Sequence, residues 1–192
     1  MTTYFHAGRE CRLGSEAQFV DLAPVWIPES PSDEQTARQL FPRGLSRHGE
    51  QYLLHGHHDG NKSLMPLELL MEEIRAHYYP RIPSRFVSIF ASLTLEAARD
   101  FGRAYSQRRR NSCFDIREVE CKSASVHDMD WINAQHSTVL DRIRAIHAYW
   151  QQQAKSNPPN WEALISLPAS VGARIEIYSW QQGRWVATSR IA

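Results

Sequence analysis

Strand-like patterns stand at both ends of this chain, with helical patterns between them. Near the start, Thr2 to Arg9 alternates Tyr4 and His6 with Phe5 and Ala7, the period of a half-buried strand. Near the end, Ala173 to Trp180 and Arg184 to Ile191 flank Gln181-Gln182-Gly183, which reads as a hairpin loop. A strand cannot satisfy its backbone N–H and C=O groups alone, so these end segments need sheet partners. One sheet shared by both ends, with the intervening helices packed on it, gives an α+β fold.

Between the ends, Pro and Gly punctuate the chain. Residues 24–33 are proline-rich and read as a loop. Ser32 with Gln35 predicts a capping box and a short helix ending near Pro42. Residues 43–62 read as irregular, with a short strand at Gln51–Leu54. Leu67, Leu70, Met71, Ile74 and Tyr78 repeat at helical spacing after a cap at Ser63. Arg85–Ser92 is aromatic and β-branched and predicts a strand. Thr94 caps the next helix, with Ala97, Ala98 and Phe101 inward and Gly102 near its end. Phe114–Cys121 alternates imperfectly, as at a sheet edge. Asp128 to Ala154 reads as one long helix with a stripe of Ile132, Val139, Ile143, Ile146 and Trp150. Asn160 then caps a helix of one or two turns.

Bulk properties narrow the function classes. The chain has 192 residues, enough for one domain with a core. Lys+Arg is 22 and Asp+Glu is 21, so general nucleic-acid binding and polybasic membrane binding are disfavoured. The basic run Arg108-Arg109-Arg110 reads as a solvated loop. Cys11, Cys113 and Cys121 are odd in number and far apart, which favours a reducing, cytoplasmic setting over a disulfide framework. The N-terminal stretch has no apolar core of signal-peptide length, and no run approaches membrane-spanning length. Neither a P-loop nor a GxGxxG pattern occurs, which disfavours a kinase or a Rossmann dehydrogenase.

The segment LLHGHHDG invites a metal reading through His55, His57, His58 and Asp59. It is similar to the HxHxDH pattern of metallo-hydrolases, but Gly60 stands where the last histidine belongs. His127, His136 and His147, the later histidines, lie in or beside a helical pattern. A zinc site needs three converging ligands, so the segment reads as a polar loop. No metal is expected, and a metal-dependent hydrolase is the alternative.

Four pieces carry chemistry when taken together: Tyr4-Phe5-His6; Arg85-Phe86-Val87-Ser88-Ile89-Phe90 leading into a helix with Ala97-Ala98; Asp128-Met129-Asp130-Trp131; and Arg174-Ile175-Glu176-Ile177-Tyr178. This order resembles the ADP-ribosyltransferase superfamily, and the central segment is similar to an uncharacterised bacterial family near it. The resemblance implies a single α+β domain over residues 1–192, with a mixed or antiparallel sheet in the ADP-ribosyltransferase-like arrangement flanked by helices. It also implies a transferase or NAD glycohydrolase that uses NAD as substrate, with an acceptor that the sequence does not name. Phe90 departs from the pattern, standing where many members have a second small hydroxyl residue.

The chemistry gives each residue type a reason. Cleaving the nicotinamide–ribose bond develops positive charge on the ribose, as in glycoside cleavage. Glu176 is the carboxylate expected to stabilise it, with Glu118 and Glu120 as rival acids. By the resemblance, His6 grips the adenosine-side ribose. Tyr4, Phe86 or Phe90 can flank nicotinamide, though the two phenylalanines read as core ahead of cofactor platform. Ser88 can support Glu176. Arg85 can meet the pyrophosphate or pair with Glu72 or Glu73. A catalytically inactive binding module of the same fold is the alternative within the superfamily, and an unrelated α+β interaction protein is the alternative outside it.

Overall fold

The structure is a computed structural model that describes residues 2–9, 20–25, 30–54, 64–109 and 113–190. It is a mixed α+β protein whose larger sheet is antiparallel throughout. The chain divides into two compact units. The first comprises Met1–Leu22, Phe90–Ser123 and Pro168–Ala192, and the second comprises Ala23–Ile89 and Ala124–Leu167.

The first unit contains the sheet that the chain ends predicted. Its strands are β1 (Thr2–Arg9), β2 (Val20–Leu22), β4 (Cys113–Cys121), β7 (Ala169–Gln181) and β8 (Arg184–Arg190). Their order is β1-β4-β7-β2, with β8 also paired to β7. β4 is therefore a central strand, not the edge its polarity suggested. Its alternation is imperfect because Asp115 and Arg117 are buried charges, at 1% and 2% exposure. They satisfy each other: Arg117 donates to Asp115 at 3.0 Å, and Arg174 of β7 lies 3.0 Å from the same carboxylate oxygen. The β7–β8 loop is two residues long, because Gln181 still pairs with Arg184. Gln182 and Gly183 both have positive φ, 47° and 82°, the left-handed pair of a type I′ turn.

One helix, α4 (Leu95–Arg109), packs on this sheet. Thr94 caps it as expected, accepting from the Ala97 amide at 3.2 Å. Its buried seam is Ala98, Gly102 and Ser106, while Ala97 and Phe101 are exposed. Gly102 does not end the helix. It faces Phe114 so closely that a Cβ there would stand 2.4 Å from the ring. Small residues let the helix sit low on Phe114, and that close approach moves the inward face away from Phe101. The basic run expected as a loop begins inside α4, which reaches Arg109.

The second unit holds α1 (Pro31–Leu40), α2 (Arg47–Leu54), α3 (Leu64–Tyr78), a 3-10 turn at Arg85–Val87, α5 (Asp130–Asn133) and α6 (Val139–Trp150). Strands β5 (Ser125–Asp128) and β6 (Trp161–Ser166) also belong to it; the three-stranded sheet they join is ordered β3-β6-β5, where β3 (Ser88–Ala91) runs past the unit boundary at Ile89. Ser30, not Ser32, caps α1, accepting from the Asp33 amide, because Pro31 suits the first helical position. The expected strand at Gln51–Leu54 lies inside α2. Ser46 starts that helix by accepting from the Gly49 amide at 3.0 Å; four apolar-polar residues could not distinguish the two forms. α3 follows the predicted spacing and buries Met71 and Ile74, but Tyr78 is 61% exposed. The Ser63 cap and the HGHHDG segment lie outside the described residues.

The long helix predicted over 128–154 is broken into β5, α5 and α6. Asp128 causes the first break. Its carboxylate accepts from the amides of Asp130, Lys155, Ser156 and Asn160, which fixes the chain in a turn rather than a helix. Those four donors also outweigh burial and hold its pKa below the usual value. Thr138 then caps α6 by accepting from the Asp141 amide, and its hydroxyl donates to the Asp141 carboxylate, leaving Val139 and Leu140 exposed. Asn160 leads into β6 instead of a helix.

Candidate functional site

In the first unit, His6, Tyr4, Phe90 and Glu176 were the expected site residues. The sheet register decides which can meet. Ala7 lies opposite Ile116, and Ile116 lies opposite Glu176, while His6 lies opposite Arg117. Directly opposed residues share a face and neighbours alternate. Glu176 therefore shares a face with Ile116 and Ala7, and His6 and Tyr4 occupy the other. The expected convergence of His6 and Glu176 on one pocket is not what the register gives.

The Glu176 face is the one α4 covers, and the acid is 3% exposed. Arg99 of α4 donates Nε to one carboxylate oxygen at 2.8 Å and Nη2 to the other at 2.5 Å, the planar fork that matches a carboxylate. The Tyr178 hydroxyl adds a third bond at 2.9 Å. Glu176 and Tyr178 are two residues apart on β7, so they stand side by side on one face. Burial first, and then the Glu176 hydrogen bond and charge, push the Tyr178 phenol above its ordinary pKa. Arg99 has a second partner, Glu96, at 2.7 Å; that carboxylate is 65% exposed. Behind this group, Phe114 stacks on Tyr178 at 4.8 Å, and Arg103 lies over the Tyr178 ring. The rival acids Glu118 and Glu120 are half-buried on β4.

On the opposite face, His6 donates from Nδ1 to the Phe90 carbonyl at 2.7 Å, and Phe5 and Ser92 form a backbone bridge beside it. These bonds fasten β1 to the start of the α4 connection. Phe90 thus acts through its carbonyl, whatever its ring does. Tyr4 is half-buried, and burial raises its phenol pKa.

Arg85, Phe86 and Ser88 belong to the second unit. Phe86 is 5% exposed and stacks on Phe41 at 4.9 Å, a core contact. Ser88 is wholly buried and donates its hydroxyl to the Ser84 carbonyl at 2.7 Å. Its one O–H is spent there. Arg85 is the centre of a buried network. It donates to both oxygens of Glu68 at 2.9 and 3.2 Å, to the Tyr149 hydroxyl at 2.7 Å and to Glu162. Tyr149 also donates to Glu162. The expected partners Glu72 and Glu73 are not used; Glu72 binds Arg75, three residues along the same helix.

The electrostatics follow from burial. Burial opposes the charge on Arg85, but Glu162 and Glu68 outweigh it and raise the pKa. Burial raises both the Glu162 carboxyl and the Tyr149 phenol. His127 stacks on Tyr149 at 4.5 Å. It donates Nδ1–H to the Tyr149 carbonyl and accepts at Nε2 from Ser125, which in turn accepts from Gln152. That donor order suits a neutral imidazole, and burial lowers its pKa to about 4. Perturbed groups like these mark either a functional site or a structural ion-pair network. Here all three guanidinium nitrogens of Arg85 donate to protein groups.

Sequence reasoning missed Arg99, Tyr178, Glu68, Tyr149, Glu162 and the buried role of His127. Arg99 and Glu176 lie 77 residues apart, as do Arg85 and Glu162, and no local spacing links them. Among the described residues, no group of three or more His, Cys, Asp or Glu side chains is arranged to hold a metal ion, and no helix is long and apolar enough to cross a membrane.

Residues 35–177 match a family model described as a protein of unknown function, DUF2441. No curated protein matches the chain.

Proposed function

The chain belongs to the DUF2441 family, and we propose that it is a non-catalytic binding module with an ADP-ribosyltransferase-like arrangement of elements. Support for the arrangement is the order of parts: a histidine on the first strand, a serine-bearing strand leading into a helix, and a glutamate on a late strand. One observation carries the loss of catalysis. Both oxygens of Glu176 are taken by the Arg99 fork, with Tyr178 adding a bond, and the carboxylate is buried under α4. A carboxylate that must face a ribose cation has to be free on that side.

The second reading, an NAD-consuming enzyme, draws on one feature of the same group. Arg99 already binds the exposed Glu96, so a rotation toward that partner would release Glu176. Incubation with NAD, reading free nicotinamide, separates the two for the wild type, Glu176→Gln and Arg99→Gln. The binding-module reading expects all three to match a protein-free blank. Nicotinamide release by the wild type that Glu176→Gln abolishes would overturn it, and a rise in Arg99→Gln would identify the arginine as a gate.

A further inference from the structure

We propose that the groove between α5 and α6 docks an acidic segment of a protein partner that carries an apolar anchor. This deepens the binding-module reading and rests on it. The groove is a shallow, open depression of about 470 Å³. Its floor is made of Ala145 and Ala148 on α6, both buried. Trp131 of α5 forms one wall, and Arg144 and Lys155 stand at the rim.

Charge selects the partner. Lys155 donates to the Asp130 carbonyl at 2.9 Å and lies 5.4 Å from the centre of the Trp131 ring, so its ammonium is held at the groove. Arg144 is 71% exposed and lies only loosely against Asp141, at 3.7 Å. Asp141 is the one acid in the lining, and its carboxylate already accepts from Ser137 and Thr138 at the start of α6. Two cations therefore face a single acid engaged in capping. An incoming carboxylate gains from both cations and meets little repulsion.

The apolar component has its own evidence. Val139 is 74% exposed and Leu140 54%, on the first turn of α6. Leu140 lies one helical turn before Arg144, so the two are neighbours on the helix surface. A side chain resting on Ala145 and Ala148 would be flanked by Trp131 and Arg144, residue types that recur at the energetic centres of interfaces. A buried small-molecule site fits less well. The Trp131 indole N–H is already donated to the Gln153 carbonyl at 2.8 Å, and both cations are exposed, not sunk in an enclosed pocket.

The test uses the full chain, labelled with ¹⁵N, and two capped hexapeptides. Each has a central Leu-Phe pair, flanked in one by acidic residues and in the other by lysines. The acidic peptide is expected to shift the Trp131 indole resonance and the α6 amides near Arg144. Its affinity should fall about fivefold or more in an Arg144→Glu/Lys155→Glu variant, and as salt is raised. Both positions are exposed, so the variant's retained peak dispersion checks its fold. Equal responses to the two peptides would overturn the proposal. So would an undiminished response in the variant, shifts confined to other elements, or no shift at millimolar peptide. Nicotinamide release would sink the parent reading instead, whichever way the peptides behave.

Discussion

Each unit pairs an arginine with a carboxylate that also accepts from a tyrosine hydroxyl, yet the two arginines do different work. Arg85 is 6% exposed and is bound by Glu68 of α3, Tyr149 of α6 and Glu162 of β6. It ties two helices and a strand to its own turn. Arg99 is 18% exposed and spans only α4 and β7, with Glu96 offering an exposed alternative. The first arrangement is a structural clamp in which each guanidinium nitrogen is engaged. The second is a cover over one acid, with water at its edge. Desolvation explains the difference: a charge cut off from water depends wholly on its partners, while a partly wet one can exchange them.

The largest expected effect tests the clamp. Arg85→Met leaves Glu68 and Glu162 buried without a cation, and urea unfolding should show a loss of about 4 kcal/mol. A loss below about 1 kcal/mol would mean that the network is not the centre of that unit.

The next effect is pH dependence in the same unit. An unfolded imidazole takes a proton below its ordinary pKa of 6.5, whereas folded His127 does so only near 4. Between those values the unfolded state binds more protons, so stability is full above 6.5 and falls as pH drops toward 4. The shift corresponds to about 3 kcal/mol at most. His127→Gln should flatten this part of the stability–pH curve. An unchanged slope would assign the titration to another group.

The smaller effect concerns the cover. Arg99→Met removes a fork that is partly wet, and the expected loss is about 2 kcal/mol. Glu176→Gln keeps the shape and should cost less than Arg99→Met. If Arg99→Met proves as damaging as Arg85→Met, the contrast between clamp and cover fails.

Legibility in the sequence followed the range of the interactions. Helices that depend on local spacing were readable: the α3 stripe through Met71 and Ile74, the Thr94 cap and the terminal hairpin. The break at Asp128 was not, because it depends on amides as far away as Asn160. The edge assignment of Phe114–Cys121 failed for a related reason. Asp115 and Arg117 look solvent-facing until Arg174 from another strand is placed beside them. In the candidate site, Glu176 stood out as an acid among apolar residues, but its partners lay beyond any sequence window. His6 was singled out too, and the β1–β4 register placed it on the opposite face from Glu176.

The sequence by itself determined the α+β class, the strands at both ends and the start of α4, since these follow from period, capping and turn chemistry within a few residues. Only the tertiary structure decided which faces the charges occupy and which partners neutralise them. That decision depends on strand register, where a shift of one residue turns every side chain over, and on burial, which makes an arginine's neighbours matter more than its own identity.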